Sequence, residues 1–200
     1  MSQVQVERTA ALRRFAAWCG VAAPLVAISA IILSAIYSPE FSWVEDALSD
    51  LGGPGAATPV IFNWGLILAS LLAIAFMARV WVSTIDLIEK TGVVVFLLAS
   101  ISLGLIGLFP VGTEYHFPAS VGFFLFFTYA LFIFGTGNIF TGLDIYGLMA
   151  MWLGIMHMSF WALWIAGLRD QLPGLAVPEF VGALIVSTWM ILTAHRLLRE

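Results

Sequence analysis

Residues 13–37 read RRFAAWCGVAAPLVAISAIILSAIY. Two arginines lead into roughly 22 residues without a charge, and at 1.5 Å per residue a helix of that length crosses a hydrocarbon core of about 30 Å. A secretory signal has an apolar core of only about 7–15 residues, so this stretch is too long to be one. Trp18 also stands beside Cys19, where lipoprotein processing needs a small side chain. The segment is expected to stay in place as an uncleaved anchor. Five more runs of the same character follow, at residues 59–82, 92–110, 117–139, 145–167 and 178–194, each about 17–24 residues and therefore long enough to span.

Of the 200 residues, 62% are hydrophobic and 10% charged, with a mean hydropathy of +1.03. Soluble domains carry about 45–50% apolar and about 25% charged residues, and a water-soluble fold of this size could not hide the excess. Lipid is the expected solvent. Helices are the expected form, because unpaired backbone groups are too costly in hydrocarbon and the short alternating segments of a membrane barrel are missing. The predicted fold class is all-α: a polytopic membrane protein, with one domain over residues 1–200 built as a bundle of six transmembrane helices. A net charge of −4 without any basic stripe argues against nucleic acid as a partner. Cys19 is the single cysteine, which excludes an intrachain disulfide and any multi-cysteine metal motif. It reads as a small apolar packing residue.

Orientation follows from the basic residues. With six spans, Arg8, Arg13, Arg14, Arg79, Lys90, Arg196 and Arg199 share one side, and only Arg169 lies on the other. Lys and Arg collect in the cytoplasm, so a multi-pass protein of the cell membrane is expected, with both termini cytoplasmic.

The first outer loop, residues 38–58, carries Glu40, Glu45, Asp46 and Asp50 and no basic residue. Within it Ser42-Trp43-Val44-Glu45 has the form of a capping box. Trp43, Val44, Ala47, Leu48 and Leu51 then recur at helical spacing, and Gly52-Gly53-Pro54-Gly55 ends the segment. A short amphipathic helix lying in the outer interface is predicted, followed by Thr58 as N-cap and Pro59 at the first position of the next span.

Candidate functional residues gather on this outer side. Asp46 and Asp50 would share one face of the loop helix, where like charges repel mildly and a cation, metal or headgroup between them would be welcome. A solvated acidic face has the same signature. The second outer loop offers Glu114 and His116. His157 is about 12 residues into the fifth run, roughly 18 Å deep, behind Gly147, Ala150 and Gly154 at steps of three and four. Ionisable residues at such depth usually face the bundle interior and mark function. A neutral histidine bonded to a hydroxyl or a backbone carbonyl is the plainer reading. Asp50, His116 and His157 could together supply mixed oxygen and nitrogen ligands of the kind that suit zinc and activate water, although no HxxxH or HExxH pair occurs.

The segment Asp46-Ala47-Leu48-Ser49-Asp50-Leu51-Gly52, with Ile61-Phe62-Asn63 and Gly107-Leu108-Phe109-Pro110, resembles the six-span prokaryotic membrane family catalogued as domain of unknown function 998 (DUF998), over nearly the whole chain. That family name implies the six-span fold and no established activity. Ser49-Asp50-Leu51-Gly52 is also similar to an element after the first span of the Frag1/DRAM group, which includes a factor in lipid-anchor remodelling. These likenesses single out Ser49, Asp50 and His116.

Two functions are expected from this reading. One is a lipid-handling protein that binds or processes a headgroup in an outward-facing polar pocket. Membrane lipids would be its partners, Asp46, Ser49 and Glu114 would bind the ligand, and Asp50, His116 and His157 would act on it, with zinc as the metal that set would suit. The other is a non-catalytic accessory or scaffold subunit with a membrane-protein partner, suggested by an aromatic content of 14%.

Overall fold

The computed structural model describes residues 3–199. Six helices follow one another: α1 (Gln3–Ile36), α2 (Pro59–Ser83), α3 (Leu87–Leu108), α4 (His116–Phe140), α5 (Asp144–Leu163) and α6 (Ala176–Arg199), and no strand occurs among the described residues. All six are long and apolar enough to cross a membrane. α1 is longer than its apolar run because Gln3–Arg14 continues the helix as an exposed, charged extension. Within it Pro24 removes one backbone donor, which a helix tolerates when it is packed against neighbours.

Each helix packs on the next in sequence, and α1 closes the ring against α6. Aromatic side chains fill the middle: Trp189 of α6 meets Phe96 of α3 at 4.7 Å and Phe134 of α4 at 4.9 Å between ring centroids. Small residues set the spacing. A Cβ on Gly107 of α3 would stand 2.5 Å from the backbone oxygen of Asn63 on α2, so only glycine lets these two helices approach so closely. At the end of the bundle that carries the termini, Asp86 caps α3 by accepting from the Ile88 and Glu89 amides. Buried Glu89 accepts from the Thr141 hydroxyl at 3.2 Å, tying α3 to α4.

The opposite end carries a cap built from two connections. The expected amphipathic helix is shorter than its pattern predicts. Residues 42–46 form turns, and only Leu48–Gly52 is helical, as a 3-10 segment. Ser42 caps a turn, its hydroxyl accepting from the Val44 and Glu45 amides. Asp46 and Asp50 are not on one helix face. Asp46 Oδ2 accepts from the Ser42 amide and Asp50 Oδ2 from the Ala47 amide, each at 2.8 Å. Long-range contacts account for the departure: the amides of Gly174 and Ala176 donate to the carbonyls of Val44 and Asp46, both at 2.8 Å. A continuous α-helix would need those carbonyls for itself. Thr58 does precede α2 with Pro59 at its first position, but the Thr58 hydroxyl makes no capping bond.

Candidate functional site

Below the cap, a cleft of about 830 Å³ runs between the facing halves of α4 and α5. One wall is the α4 stripe Phe117, Val121, Leu125 and Tyr129, at steps of four, and the other comes from Met158, Trp161 and Ala162 of α5 and Ile165 just beyond it. Phe117 is 75% exposed, Tyr129 58% and Ile165 65%, so the cleft opens on the flank of the bundle. α5 ends there in a single π-helical turn, Trp164–Leu168, with Trp164 Nε1–H bonded to the Leu172 carbonyl at 2.8 Å.

Polar groups line the upper part and the floor. Ser49 and Asp50 come from the cap, His116 and Ser120 from the first turns of α4, Glu179 from the first turn of α6, and Thr128 and His157 from deeper in α4 and α5. The structure thus brings Ser49, Asp50, His116 and His157 to one cavity. Asp46 instead borders a separate cavity with Ser38, Glu40 and Asp50, and Glu114 is exposed and outside the cleft.

The hydrogen bonds determine both imidazole tautomers. Trp161 Nε1–H lies 2.9 Å from His157 Nε2. An indole nitrogen only donates, so Nε2 is the acceptor and the proton sits on Nδ1. Nδ1–H then donates to Thr128 Oγ1 at 2.7 Å, and the Thr128 hydroxyl donates to the Phe124 carbonyl at 2.6 Å. His157 is therefore neutral, with both nitrogens occupied, and its ring lies 4.5 Å from Phe127 and stacks on Phe124 at 5.9 Å. It matches the plainer reading of a deep histidine in its bonding, while still forming the cleft floor.

His116 differs. The Phe109 carbonyl, 2.9 Å from Nδ1, requires the proton there. In the neutral imidazole Nε2 then accepts from the Ser120 hydroxyl at 3.3 Å. A hydroxyl leaning on an imidazole held from behind is the geometry by which a base polarises a nucleophile.

Glu179 was not among the residues read from sequence. Its Oε2 accepts from the Leu48 amide at 2.7 Å, pinning the 3-10 segment to α6. A lone acid at the second position of the apolar run 178–194 is a signal in its own right. Ser120 and Trp161 each follow a candidate histidine by four residues, which is one helical turn.

The zinc expectation does not fit these residues. Among the described residues no three of the His, Cys, Asp and Glu side chains come together as metal ligands, and the nitrogens of His157 are spent on Trp161 and Thr128.

The motifs behind the family resemblance take on a physical role here. Asn63 Nδ2–H holds the Gly52 carbonyl at 3.0 Å, Gly107 admits α2 against α3, and the Phe109 carbonyl orients His116. They are the framework of the cleft. Six spanning helices with a capped, flank-opening and mostly apolar cleft define a multi-pass membrane protein. A family model described as Protein of unknown function (DUF998) matches residues 21–196, and the chain belongs to that family. No curated protein and no solved structure matches it.

Proposed function

We propose that this protein binds a membrane amphiphile, with the headgroup among Ser49, Asp50, His116, Ser120 and Glu179 and the tail along the α4 and α5 stripes. The observation that carries the reading is one cavity that is polar beneath the cap and apolar down to an open flank. Ligand sites are commonly concave and mostly apolar with a few convergent polar groups, and this cleft lies within their usual volume range. His157 closes the floor. The capped end faces outward and both termini lie in the cytoplasm, as the basic residues suggest. The test is native mass spectrometry of the protein purified in a mild uncharged detergent. Wild type should retain lipid, and Ala162→Trp, which fills the cleft from an exposed α5 position, should lose most of it. Equal retention by both would refute the reading.

A second reading is a subunit that docks against another membrane protein through α5. It rests on the poor packing of that helix: 22% of its spanning window is buried, against 39–56% for the others. Co-purification in mild detergent distinguishes the two, because a stoichiometric protein partner lost on Trp152→Ala would favour docking. Trp152 is 63% exposed on α5.

A further inference from the structure

Resting on the amphiphile reading, we infer that the headgroup is a cation: an ammonium on a long alkyl chain, carrying no phosphate or sulfate. The charge inventory of the cleft carries this. Two carboxylates, Asp50 and Glu179, line it together with two histidines and the hydroxyls of Ser49, Ser120, Thr128 and Tyr129, and among the described residues no Lys or Arg does. Arg169, the nearest basic residue in sequence, has its guanidinium over the Trp164 ring at 5.7 Å. An anionic headgroup here would sit beside carboxylates with no basic side chain to offset it, which is unfavourable. An ammonium would supply the missing charge. Loss of Lys and Arg from exported connections follows from topology, but topology does not set carboxylates into a cavity wall.

The carboxylates are also held ready. Asp50 Oδ2 accepts from the Ala47 amide and Glu179 Oε2 from the Leu48 amide, so donors on consecutive residues fix both groups on one turn of the cap. Each has a second carboxyl oxygen able to accept from an ammonium N–H. The same cleft carries aromatic rings: Phe124 and Trp161 lie 5.7 Å apart edge to face, and Trp161 is fixed by its bond to His157. Ring faces attract ammonium groups. Below, the stripe from Phe117 to Tyr129 runs roughly 18 Å at 1.5 Å per residue, which suits a long single chain.

The experiment compares hexadecylamine, hexadecanol and hexadecyl sulfate at sub-micellar concentration, bound to the full chain in an uncharged maltoside detergent and read by native mass spectrometry. The amine should bind at least tenfold more tightly than the alcohol or the sulfate. Glu179→Gln and Asp50→Asn keep an amide oxygen to accept the Leu48 and Ala47 bonds while removing charge, and each should cut amine binding about tenfold and leave the alcohol unchanged. Glu114→Gln, outside the cleft, should change nothing. Should Glu179→Gln fail to fold, Asp50→Asn, on an exposed residue, still decides the matter. Equal binding of all three compounds, abolished by Ala162→Trp, would overturn the cation inference and leave the amphiphile site standing. Preference for the sulfate would overturn the inference too. Binding of none would remove both.

Discussion

Replacing Thr128 by Val tests the hydrogen-bond chain that fixes the cleft floor. Val keeps the branched shape and deletes the acceptor for His157 Nδ1–H, now held at 2.7 Å between side chains that are 7% and 4% exposed. The bond on the other nitrogen, from Trp161 at 2.9 Å, keeps the proton on Nδ1, so a change of tautomer would only move the unsatisfied group. A buried donor left without a partner costs about 1–3 kcal/mol. A loss of about 2 kcal/mol in a chain of this length lowers the unfolding midpoint by about 4–8 °C. The assay is thermal unfolding in uncharged detergent, run as a double-mutant cycle with His157→Leu. Once the imidazole is gone, Thr128→Val should cost about 1–2 kcal/mol less, while the freed Trp161 N–H appears on both sides of the cycle and cancels. Nitrogen-15 spectra of the imidazole should place the proton on Nδ1. Equal cost of Thr128→Val in both backgrounds, or a proton on Nε2, would refute the reasoning.

Other outcomes follow from the cap and the topology. Gly174→Val puts a Cβ 2.4 Å from the Asp46 backbone oxygen, which cannot move aside as a flexible side chain would. The two connections should part, and limited proteolysis should cut residues 38–58 several times faster than in wild type; an unchanged cutting rate would count against the paired cap. Elemental analysis of purified protein should find well under one zinc per chain, and chelator should leave the unfolding midpoint unmoved, whereas one tightly held equivalent lost in Asp50→Ala would reverse the conclusion on metal. Cys19 is 3% exposed, so background labelling is low. A membrane-impermeant maleimide should label Glu114→Cys in intact cells, and Ile85→Cys, at a position 90% exposed in the α2–α3 connection, only after permeabilisation. The reverse pattern would invert the topology.

The six helices were legible because their cause is local: a run of apolar residues long enough to span has few alternatives in lipid. The buried face of Gly147, Ala150, Gly154 and His157 was legible for the same reason, since helical spacing alone places those residues together. The cap was not. Its local pattern favours an α-helix, but the carbonyls that would close its first turns are taken by Gly174 and Ala176, about 130 residues further along the chain. No window along the sequence holds both partners. Asp46 and Asp50 were read as neighbours on that helix and instead close different turns. Glu179 lies outside the outer loops, and its signal in the sequence is a lone acid at the start of the apolar run 178–194. The partners of the histidines were within reach one turn away, at Ser120 and Trp161.

The bonds from Gly174, Ala176 and Glu179 to the first connection tie the cap together above the cleft, and the apolar walls below it open on the flank. A ligand that enters by that flank must first dissolve in the bilayer and arrive by diffusion in two dimensions. Occupancy then follows the mole fraction of ligand in the lipid, not its concentration in water. Each added methylene favours the membrane by about 0.8 kcal/mol, about fourfold in partition, so apparent affinity measured from the aqueous phase would climb with tail length even where no contact with the protein had changed.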